Sequence, residues 1–181
     1  MTTDVAWLTD HIRDIPDWPK PGVVFKDITP LLGHPVAFRR VIDELAAPFA
    51  GEQIDKVLGV EARGFVVAAP LADRFGAGFV PVRKAGKLPW RIEREEYELE
   101  YGTDLLEIHS DAVLPGERVL IADDVLATGG TAAATVRLAE RLGGNVVACS
   151  FLIELGFLDG RNRLPDCVVR SLVTYPGDPT P

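Results

Sequence analysis

The stretch "VLIADDVLATGGTAAATVRL", residues 119–138, decides the fold because a buried strand runs directly into a glycine turn and then a helix. Its start, Val119 to Ala122, is apolar without alternation, which is typical of a strand that is buried on both faces. Two adjacent acids, Asp123 and Asp124, end the strand, and apolar residues at helical spacing follow the turn. We therefore expect the strand–turn–helix unit of an α/β protein.

Short apolar segments alternate with helical patterns on both sides of this stretch. Strands are predicted at 56–60, 78–82, 145–155 and 167–175, and helices at 35–50 and 65–75. This alternation predicts an α/β fold with a central, mostly parallel sheet that is flanked by helices. Ligands of such folds collect at the carboxyl ends of the strands, where the loops 61–64, 83–89 and 123–131 should emerge together.

Length and composition predict one soluble domain that covers residues 1–181. The chain is 47% hydrophobic and 25% charged, and no apolar run approaches the ~20 residues that a membrane span needs. The net charge of −8 argues against a nucleic-acid partner. The acidic start "MTTDVAWLTDHIRDIPDWP" fits neither a secretory signal nor a transit peptide, so we expect a cytoplasmic location.

Cys149 and Cys167 lie in apolar runs without ligand spacing and are expected to be buried, reduced thiols.

The turn after the strand has the composition of a phosphate site. Thr128 to Thr131 bring backbone N–H groups, two hydroxyls and a helix N-terminus to one point. No lysine follows the glycines, so the motif is not a Walker A loop, and the dinucleotide-binding glycine pattern is missing as well. A purely structural turn remains the alternative interpretation.

The two acids indicate that the ligand is more than a phosphate. Adjacent carboxylates repel a bare phosphate, but they accept hydrogen bonds from vicinal hydroxyls and can face a bound cation. A 5-phosphoribosyl group combines these features. Because side chains alternate along a strand, we expect Asp123 and Asp124 to point to different sides, so that one serves the ribose more directly.

An activated phosphoribose also carries a diphosphate, which requires positive charge. Arg63 follows one predicted strand, and Arg83, Lys84 and Lys87 follow the next, all at the same edge of the sheet. Ordinary solvated loop charges are the alternative interpretation of each residue.

The first thirty residues are rich in proline yet apolar and should form an ordered arm, and residues 91–109 are typical of a charged hairpin.

With these residues in place, the chain resembles the adenine phosphoribosyltransferase family, which has the type I phosphoribosyltransferase fold. "IPDWPKPGVVFKDITPLL" (15–32) is similar to the N-terminal hood of the family, and "GVEARGF" (59–65) to its diphosphate-side loop. "VRKAGKLP" (82–89) resembles its basic loop, and "YELEYGTDLLEIH" (97–109) its flexible catalytic loop. "VLIADDVLATGGT" (119–131) resembles the phosphoribosyl-diphosphate motif, and "FLIELGFLDGR" (151–161) a late strand and loop. The resemblance implies a hood at 1–34 and basic and flexible catalytic loops at 83–109.

The resemblance also implies an activity in purine salvage. Adenine and 5-phosphoribosyl 1-diphosphate would give AMP and diphosphate, with Mg²⁺ carried by the diphosphate rather than by protein ligands. The implied roles are these: the 5-phosphate is held by Ala127, Thr128, Gly129, Gly130 and Thr131; the ribose by Asp123 and Asp124; the diphosphate by Arg63, Arg83, Lys84 and Lys87; and adenine by Val24, Phe25, Lys26 and Leu155. A homodimer is expected, as is typical of the family.

Glu100 would be the catalytic acid or base that exchanges a proton with the purine N7, and Tyr101 beside it a lid residue. Without the resemblance, Glu100 is one more solvated acid of a charged hairpin. Two other functions remain open from the residues: a transferase for a 6-oxopurine, and a phosphoribosyl-diphosphate sensor that regulates transcription. The second would need a DNA-binding segment or a basic face, which neither the length nor the charge suggests.

Overall fold

The computed structural model describes residues 5–98 and 102–177 of the chain. Five helices and nine strands follow one another in this part of the chain: α1 (Val5–Thr9), β1 (Arg13–Ile15), β2 (Phe25–Asp27), α2 (Thr29–Gly33), α3 (Pro35–Ala46), β3 (Lys56–Val60), α4 (Arg63–Phe75), β4 (Gly78–Lys84), β5 (Ile92–Glu98), β6 (Thr103–His109), β7 (Arg118–Leu126), α5 (Gly130–Arg141), β8 (Asn145–Leu155) and β9 (Val169–Tyr175). Short 3₁₀ turns lie at Ala47–Phe49, Gly156–Leu158 and Gly160–Arg163. None of the helices in these two segments is long and apolar enough to cross a membrane.

Seven strands form the central sheet, in the order β5-β6-β4-β3-β7-β8-β9. Strands β4, β3, β7, β8 and β9 are parallel to one another, whereas β6 runs antiparallel to both β4 and β5. The predicted mostly parallel sheet is therefore confirmed, and the predicted bounds of β3 and β8 agree with the structure.

Helices cover both faces of the sheet, which explains why the strands are apolar without alternation. Along β7, Leu120 and Ala122 pack into the core cluster on the side of α3 and α4, whereas Val119 and Ile121 pack on the side of α5. All four side chains are fully buried. Burying a side chain of valine or leucine size contributes about 1.5–3 kcal/mol, so two-sided burial makes β7 a major source of stability.

The chain reverses its direction across the sheet between β3 and β7. From β3 it passes through α4 to β4 on one side, and from β7 through α5 to β8 on the other. This arrangement is a topological switch point, and the crevice outside the carboxyl ends of such strands is where open α/β sheets bind ligands. The loops predicted to carry the site leave from these strand ends.

The charged segment 91–109 forms the predicted hairpin, because β5 and β6 pair from Ile92 opposite His109 to Glu98 opposite Thr103. Glu107 on β6 is fully buried and accepts hydrogen bonds from Arg94 Nε and from the backbone N–H of Gly86, both at 2.9 Å. The span 83–109, expected as basic and flexible catalytic loops, is thus mainly strand in its described part. Residues 99–101, with Glu100 and Tyr101, lie outside the described residues.

The N-terminal arm folds back on itself, as the two short strands β1 and β2 pair in antiparallel fashion. The ring of Trp18 packs edge-on against Phe25 with 4.4 Å between the centroids. Lys26 is only 5% exposed; its ammonium donates to Asp14 Oδ1 at 2.7 Å and lies 4.1 Å from the centroid of the Tyr175 ring. These contacts tie the arm to the last strand of the sheet.

The two cysteines differ in their surroundings. Cys149 on β8 is fully buried, as predicted. Cys167 is only partly buried, and the expectation of burial was wrong there, because the residue precedes β9 and lies in the wall of a small surface cavity.

Candidate active site

A cavity of about 430 Å³ opens at the carboxyl ends of β3 and β7. The segment around β2 lines one side, and the end of β8 lines another. The remaining wall comes from the loop after β3, the end of β4, the hairpin strand β5 and the loop after β7. Segments far apart in sequence therefore meet at the switch point of the sheet.

Most of the predicted site residues line this cavity. They are Val24, Phe25, Lys26, Arg63, Lys84, Asp123, Asp124, Ala127, Thr128, Gly129, Gly130, Thr131 and Leu155. Arg83 and Lys87 do not line it but bind Glu61, which does. Glu100 lies outside the described residues.

The loop from Ala127 to Thr131 presents its main chain to the cavity. Helix α5 begins at Gly130, and the preceding Gly129 has φ +80°, a left-handed conformation that side chains disfavour. No side chain caps the first turn by a hydrogen bond. The backbone N–H groups at this end are therefore available to an anion, which the helix dipole also attracts.

A close contact between two main-chain segments supports this loop. A Cβ atom at Gly129 would collide with the carbonyl oxygen of Gly160, and a Cβ atom at Gly160 would collide with that of Ala127. Arg161, the next residue, donates from Nε and a terminal nitrogen to both carboxylate oxygens of Glu154, at 2.6 and 2.7 Å. The hydrogen bond from Arg161 lowers the pKa of Glu154. This two-pronged pair holds the segment after β8 against the phosphate loop.

Asp123 and Asp124 both line the cavity, but they do not end the strand as the sequence predicted, because β7 continues for two more residues to Leu126. Asp124 is 4% exposed, and its Oδ2 lies 2.9 Å from Arg63 Nε in an ion pair without hydrogen-bond geometry. Desolvation raises the pKa of Asp123 well above its usual range, and the neighbouring charge of Asp124 is the second cause. Helix α4 approaches so closely that a Cβ atom at Gly64 would lie 2.6 Å from Asp123 Oδ1.

Glu61 gathers the basic loop at the mouth of the cavity. Its carboxylate accepts hydrogen bonds from the ammonium of Lys87, from the backbone N–H of Lys84 at 3.1 Å and from Arg83 Nε at 3.3 Å. Desolvation alone would raise the pKa of Glu61, but these hydrogen bonds outweigh it and lower the pKa to about 2. The carboxylate thus occupies the position beside two cations that an anionic ligand would seek.

A second acid holds Lys84, whose ammonium donates to Asp104 Oδ2 at 2.5 Å. The hydroxyl of Tyr97 donates to the same oxygen at 3.2 Å, and Tyr97 and Asp104 face each other in the hairpin ladder. This hydrogen bond from Lys84 to Asp104 raises the pKa of Lys84 and lowers the pKa of Asp104. Each of the four predicted diphosphate cations therefore has an acidic partner in this structure.

The apolar end of the cavity lies between the arm and β8. Val24 and Phe25 come from the arm, and Leu155 is the last residue of β8. The guanidinium of Arg63 lies 5.0 Å from the centroid of the Phe25 ring. The ammonium of Lys26 is engaged by Asp14, so the contribution of this residue to the cavity is its backbone and the stem of its side chain.

Comparisons with known proteins bear on the same residues. The sequence profile described as "Phosphoribosyl transferase domain" matches residues 34–170. The adenine phosphoribosyltransferase of Thermobifida fusca (strain YX) is 63% identical over 175 residues, which cover 96% of this chain and 99% of the relative. The chain belongs to the adenine phosphoribosyltransferase family.

Solved structures of this family have the same fold. The crystal structure of the adenine phosphoribosyltransferase from Rhodothermus marinus DSM 4252 has a TM-score of 0.92 and 55% identity, and covers 97% of this chain and 100% of that one. The Saccharomyces cerevisiae enzyme, in complex with an imino-altritol bisphosphate and adenine, has a TM-score of 0.90 and 40% identity over 95% of this chain and 99% of that one. The type I phosphoribosyltransferase fold is thereby confirmed.

Sequence reasoning missed three parts of this family's site in the chain. Glu61 lies in the segment "GVEARGF", in which only Arg63 was assigned a role. Tyr97, 6% exposed, lines the cavity from the hairpin, and Gly160 supports the phosphate loop from below. A usable signal existed only for Glu61, which directly follows β3, since Val60 of β3 pairs with Val82 and the basic residues begin at Arg83. Nothing local marks Gly160.

The lowered pKa of Glu61 predicts a pH-dependent contribution to stability. Because the carboxylate is paired in the folded state and has an ordinary pKa of 4.5 otherwise, its contribution is complete above pH 4.5 and declines as the pH falls towards about 2. We expect Glu61→Gln to lower the free energy of unfolding in urea at pH 7, and the difference from the wild type to shrink below pH 4.5.

Glu96→Gln, at an exposed position on β5, is the matched control and should show a small difference that does not follow this course. A wild-type advantage over Glu61→Gln that is as large at pH 3.5 as at pH 7 would contradict the assignment.

Proposed function

We propose that the chain transfers the 5-phosphoribosyl group from 5-phosphoribosyl 1-diphosphate to adenine, giving AMP and diphosphate, in purine salvage. The observation that carries the proposal is the likeness to adenine phosphoribosyltransferases, which extends over nearly the whole chain. The cavity at the switch point supports it, since a main-chain phosphate loop, two acids and the cations Arg63 and Lys84 line it, and Arg83 and Lys87 are bound to Glu61 in its wall.

The 5-phosphate is proposed to bind to Ala127, Thr128, Gly129, Gly130 and Thr131. Main-chain N–H groups and the dipole of α5 stabilise the phosphate without requiring a cationic side chain. Asp123 and Asp124 would accept hydrogen bonds from the ribose hydroxyls. Asp124 pairs with Arg63, and Asp123 Oδ1 accepts a hydrogen bond from the backbone N–H of Asp124, so both carboxylates are held in place beside the proposed sugar position.

The diphosphate is proposed to replace carboxylates that now hold the cations. Arg63, Arg83, Lys84 and Lys87 would turn from Asp124, Glu61 and Asp104 to the phosphate oxygens, which carry more charge. Mg²⁺ would arrive with this substrate and help neutralise the leaving diphosphate. Hard carboxylate oxygens such as those of Asp123 suit this ion, and among the described residues no group of three or more metal-binding side chains is present.

Adenine is proposed to bind between Phe25 and Leu155, with Val24 and Lys26 at its edge through their backbones. The relative from Saccharomyces cerevisiae has adenine in its complex, and the apolar end of the cavity in this chain offers two flat or branched side chains for a purine ring.

The chemical step requires control of charge and of one proton. Loss of diphosphate leaves an oxocarbenium-like sugar, so the cations must hold the leaving group while water is kept out. Glu100 is proposed to exchange a proton with N7 of the purine as N9 bonds to the sugar, a contribution of about 10²- to 10⁴-fold. Glu100 is two residues from Glu98, where β5 ends, and Tyr97 of the same strand lines the cavity.

We also propose a homodimer in the cytoplasm. The arm exposes 51% of Trp18, and an apolar side chain of this size at the surface suits an interface between subunits. No step of the proposed reaction depends on this assembly.

The direct test is incubation of the protein with 5-phosphoribosyl 1-diphosphate, Mg²⁺ and each purine base in turn, while the nucleotide product is followed. We expect AMP from adenine at a kcat/KM at least about 10²-fold above that for hypoxanthine, guanine or xanthine. Equal use of the 6-oxopurines would reject adenine as the acceptor. A protein that binds the diphosphate but forms no nucleotide would instead be the regulatory sensor.

The contact between Gly129 and Gly160 predicts a strong effect of one methyl group. Gly129→Ala must push the main chain of Gly160 away and also strain a backbone with φ +80°, so the phosphate loop moves. We expect kcat/KM for 5-phosphoribosyl 1-diphosphate to fall by about 10²-fold, since misplacement by ~1 Å has effects of this size. Gly33→Ala is the control, because a Cβ atom at Gly33 meets nothing within 4 Å. Near-normal kcat/KM of folded Gly129→Ala would contradict the assignment.

The role of Glu100 predicts a separation of turnover from binding. Glu100→Gln should lower kcat by about 10²-fold or more with little change in the KM for 5-phosphoribosyl 1-diphosphate. Asp123→Asn should instead raise this KM, because it acts on the sugar. Unchanged turnover of Glu100→Gln would remove Glu100 from the mechanism and leave the proposed reaction in place.

A further inference from the structure

The two cysteine sulfurs of the chain are neighbours, although the residues are 18 positions apart. Sγ of Cys149 and Sγ of Cys167 lie 3.4 Å from each other, within hydrogen-bond distance for sulfur. Cys149 is on the parallel strand β8, and its backbone N–H donates at 2.9 Å to the carbonyl of Val168, the residue after Cys167. The register of the sheet therefore fixes the two sulfurs beside each other.

One of the two thiols is accessible and the other is not. Cys167 lines a cavity of about 150 Å³ between α5 and the segment before β9, whereas Cys149 is fully buried. The polar groups around this cavity are Arg137 and Glu140 of α5, and Arg163 and Asp166 of the facing segment. A small polar oxidant can therefore reach Cys167 first.

The pKa values of the two thiols also favour Cys167, the accessible one, as the reactive member of the pair. The hydrogen bond from Cys149 lowers the pKa of the Cys167 thiol, while this contact and burial raise the pKa of Cys149. The thiolate is the reactive form of cysteine, so Cys167 is suited to attack and Cys149 to follow as the second thiol.

We infer that Cys149 and Cys167 form a redox-active dithiol, which hydroperoxides such as H₂O₂ oxidise to an intramolecular disulfide. In the first step, the sulfur of Cys167 bonds to one peroxide oxygen, the O–O bond breaks, and water leaves, giving a sulfenic acid. In the second, the sulfur of Cys149 bonds to that of Cys167, the S–O bond breaks, and the hydroxyl group leaves with the thiol proton of Cys149 as a second water. Two thiols and one peroxide thus give one disulfide and two waters.

The geometry requires a small movement. A disulfide has an S–S bond of about 2.05 Å, so the sulfurs must approach by roughly 1.4 Å, which side-chain rotation and a slight shift of the segment before β9 can supply. The closed loop would contain Leu155 and Gly160. Oxidation would therefore tether the segment that supports the phosphate loop, and this consequence is independent of which base the enzyme accepts.

The experiment treats the reduced full-length protein with H₂O₂ and follows intact mass and free thiols. We expect the mass to fall by about 2 Da, both thiols to disappear together and dithiothreitol to restore them, and a peptide that joins the two cysteines to appear after proteolysis. Hydrogen exchange of the amides at 156–166 should slow in the oxidised protein, because the loop is closed.

Two single variants test the order of the steps. With Cys149→Ala, Cys167 should remain as a sulfenic acid that dimedone traps, because the second thiol is missing. With Cys167→Ala, the buried Cys149 should stay reduced over the same time. Retention of both thiols, oxidation of both to sulfinic acids or a disulfide between two chains would each overturn the proposal, and so would rapid oxidation of Cys149 in Cys167→Ala.

Discussion

The parallel pairing of β3 with β7 is the constraint on which the candidate site depends. In its register Lys56 lies opposite Val119 and Gly59 opposite Ala122. Strand β3 ends at the next residue, Val60, whereas β7 continues to Leu126. Glu61 and Arg63, which follow β3, therefore lie beside the two acids of β7. Packing on both faces holds the register, because a slip by one residue would exchange the side chains that pack on the side of α3 and α4 with those that pack on the side of α5.

Charge compensation is the second organising feature of the cavity. Every cation assigned to the diphosphate rests on a carboxylate of the protein: Arg63 on Asp124, Lys84 on Asp104, and both Arg83 and Lys87 on Glu61. An acidic protein can in this way hold four cations in one place while each positive charge is compensated by a carboxylate. An incoming anion then exchanges partners instead of meeting bare charge, and positions that are already ordered lower the entropic cost of binding.

Local sequence patterns predicted the secondary-structure elements and most residues that line the cavity. They failed where a residue's surroundings depend on segments that are distant in the sequence. The apolar run of β8 and the glycine turn at 127–131 are local sequence patterns, and the turn together with the apolar residues before it was enough to place Asp123 and Asp124 at the cavity. The contact of Gly160 with Gly129 and the burial of Glu107 depend on packing between elements far apart, for which the sequence has no local signal. Cys167 was misjudged for the same reason.

The edge of the sheet shows another consequence of the charged hairpin. Strand β5 is terminal in the order of the sheet, so one side of its backbone is open to pairing with a strand of another molecule. Its sequence, Ile92 to Glu98, has charges at five of seven positions, four acidic and one basic. A second copy approaching this edge would bring like charges into register, which disfavours open-ended strand addition. The charged strand that precedes the proposed catalytic residue Glu100 thus also protects the protein against aggregation.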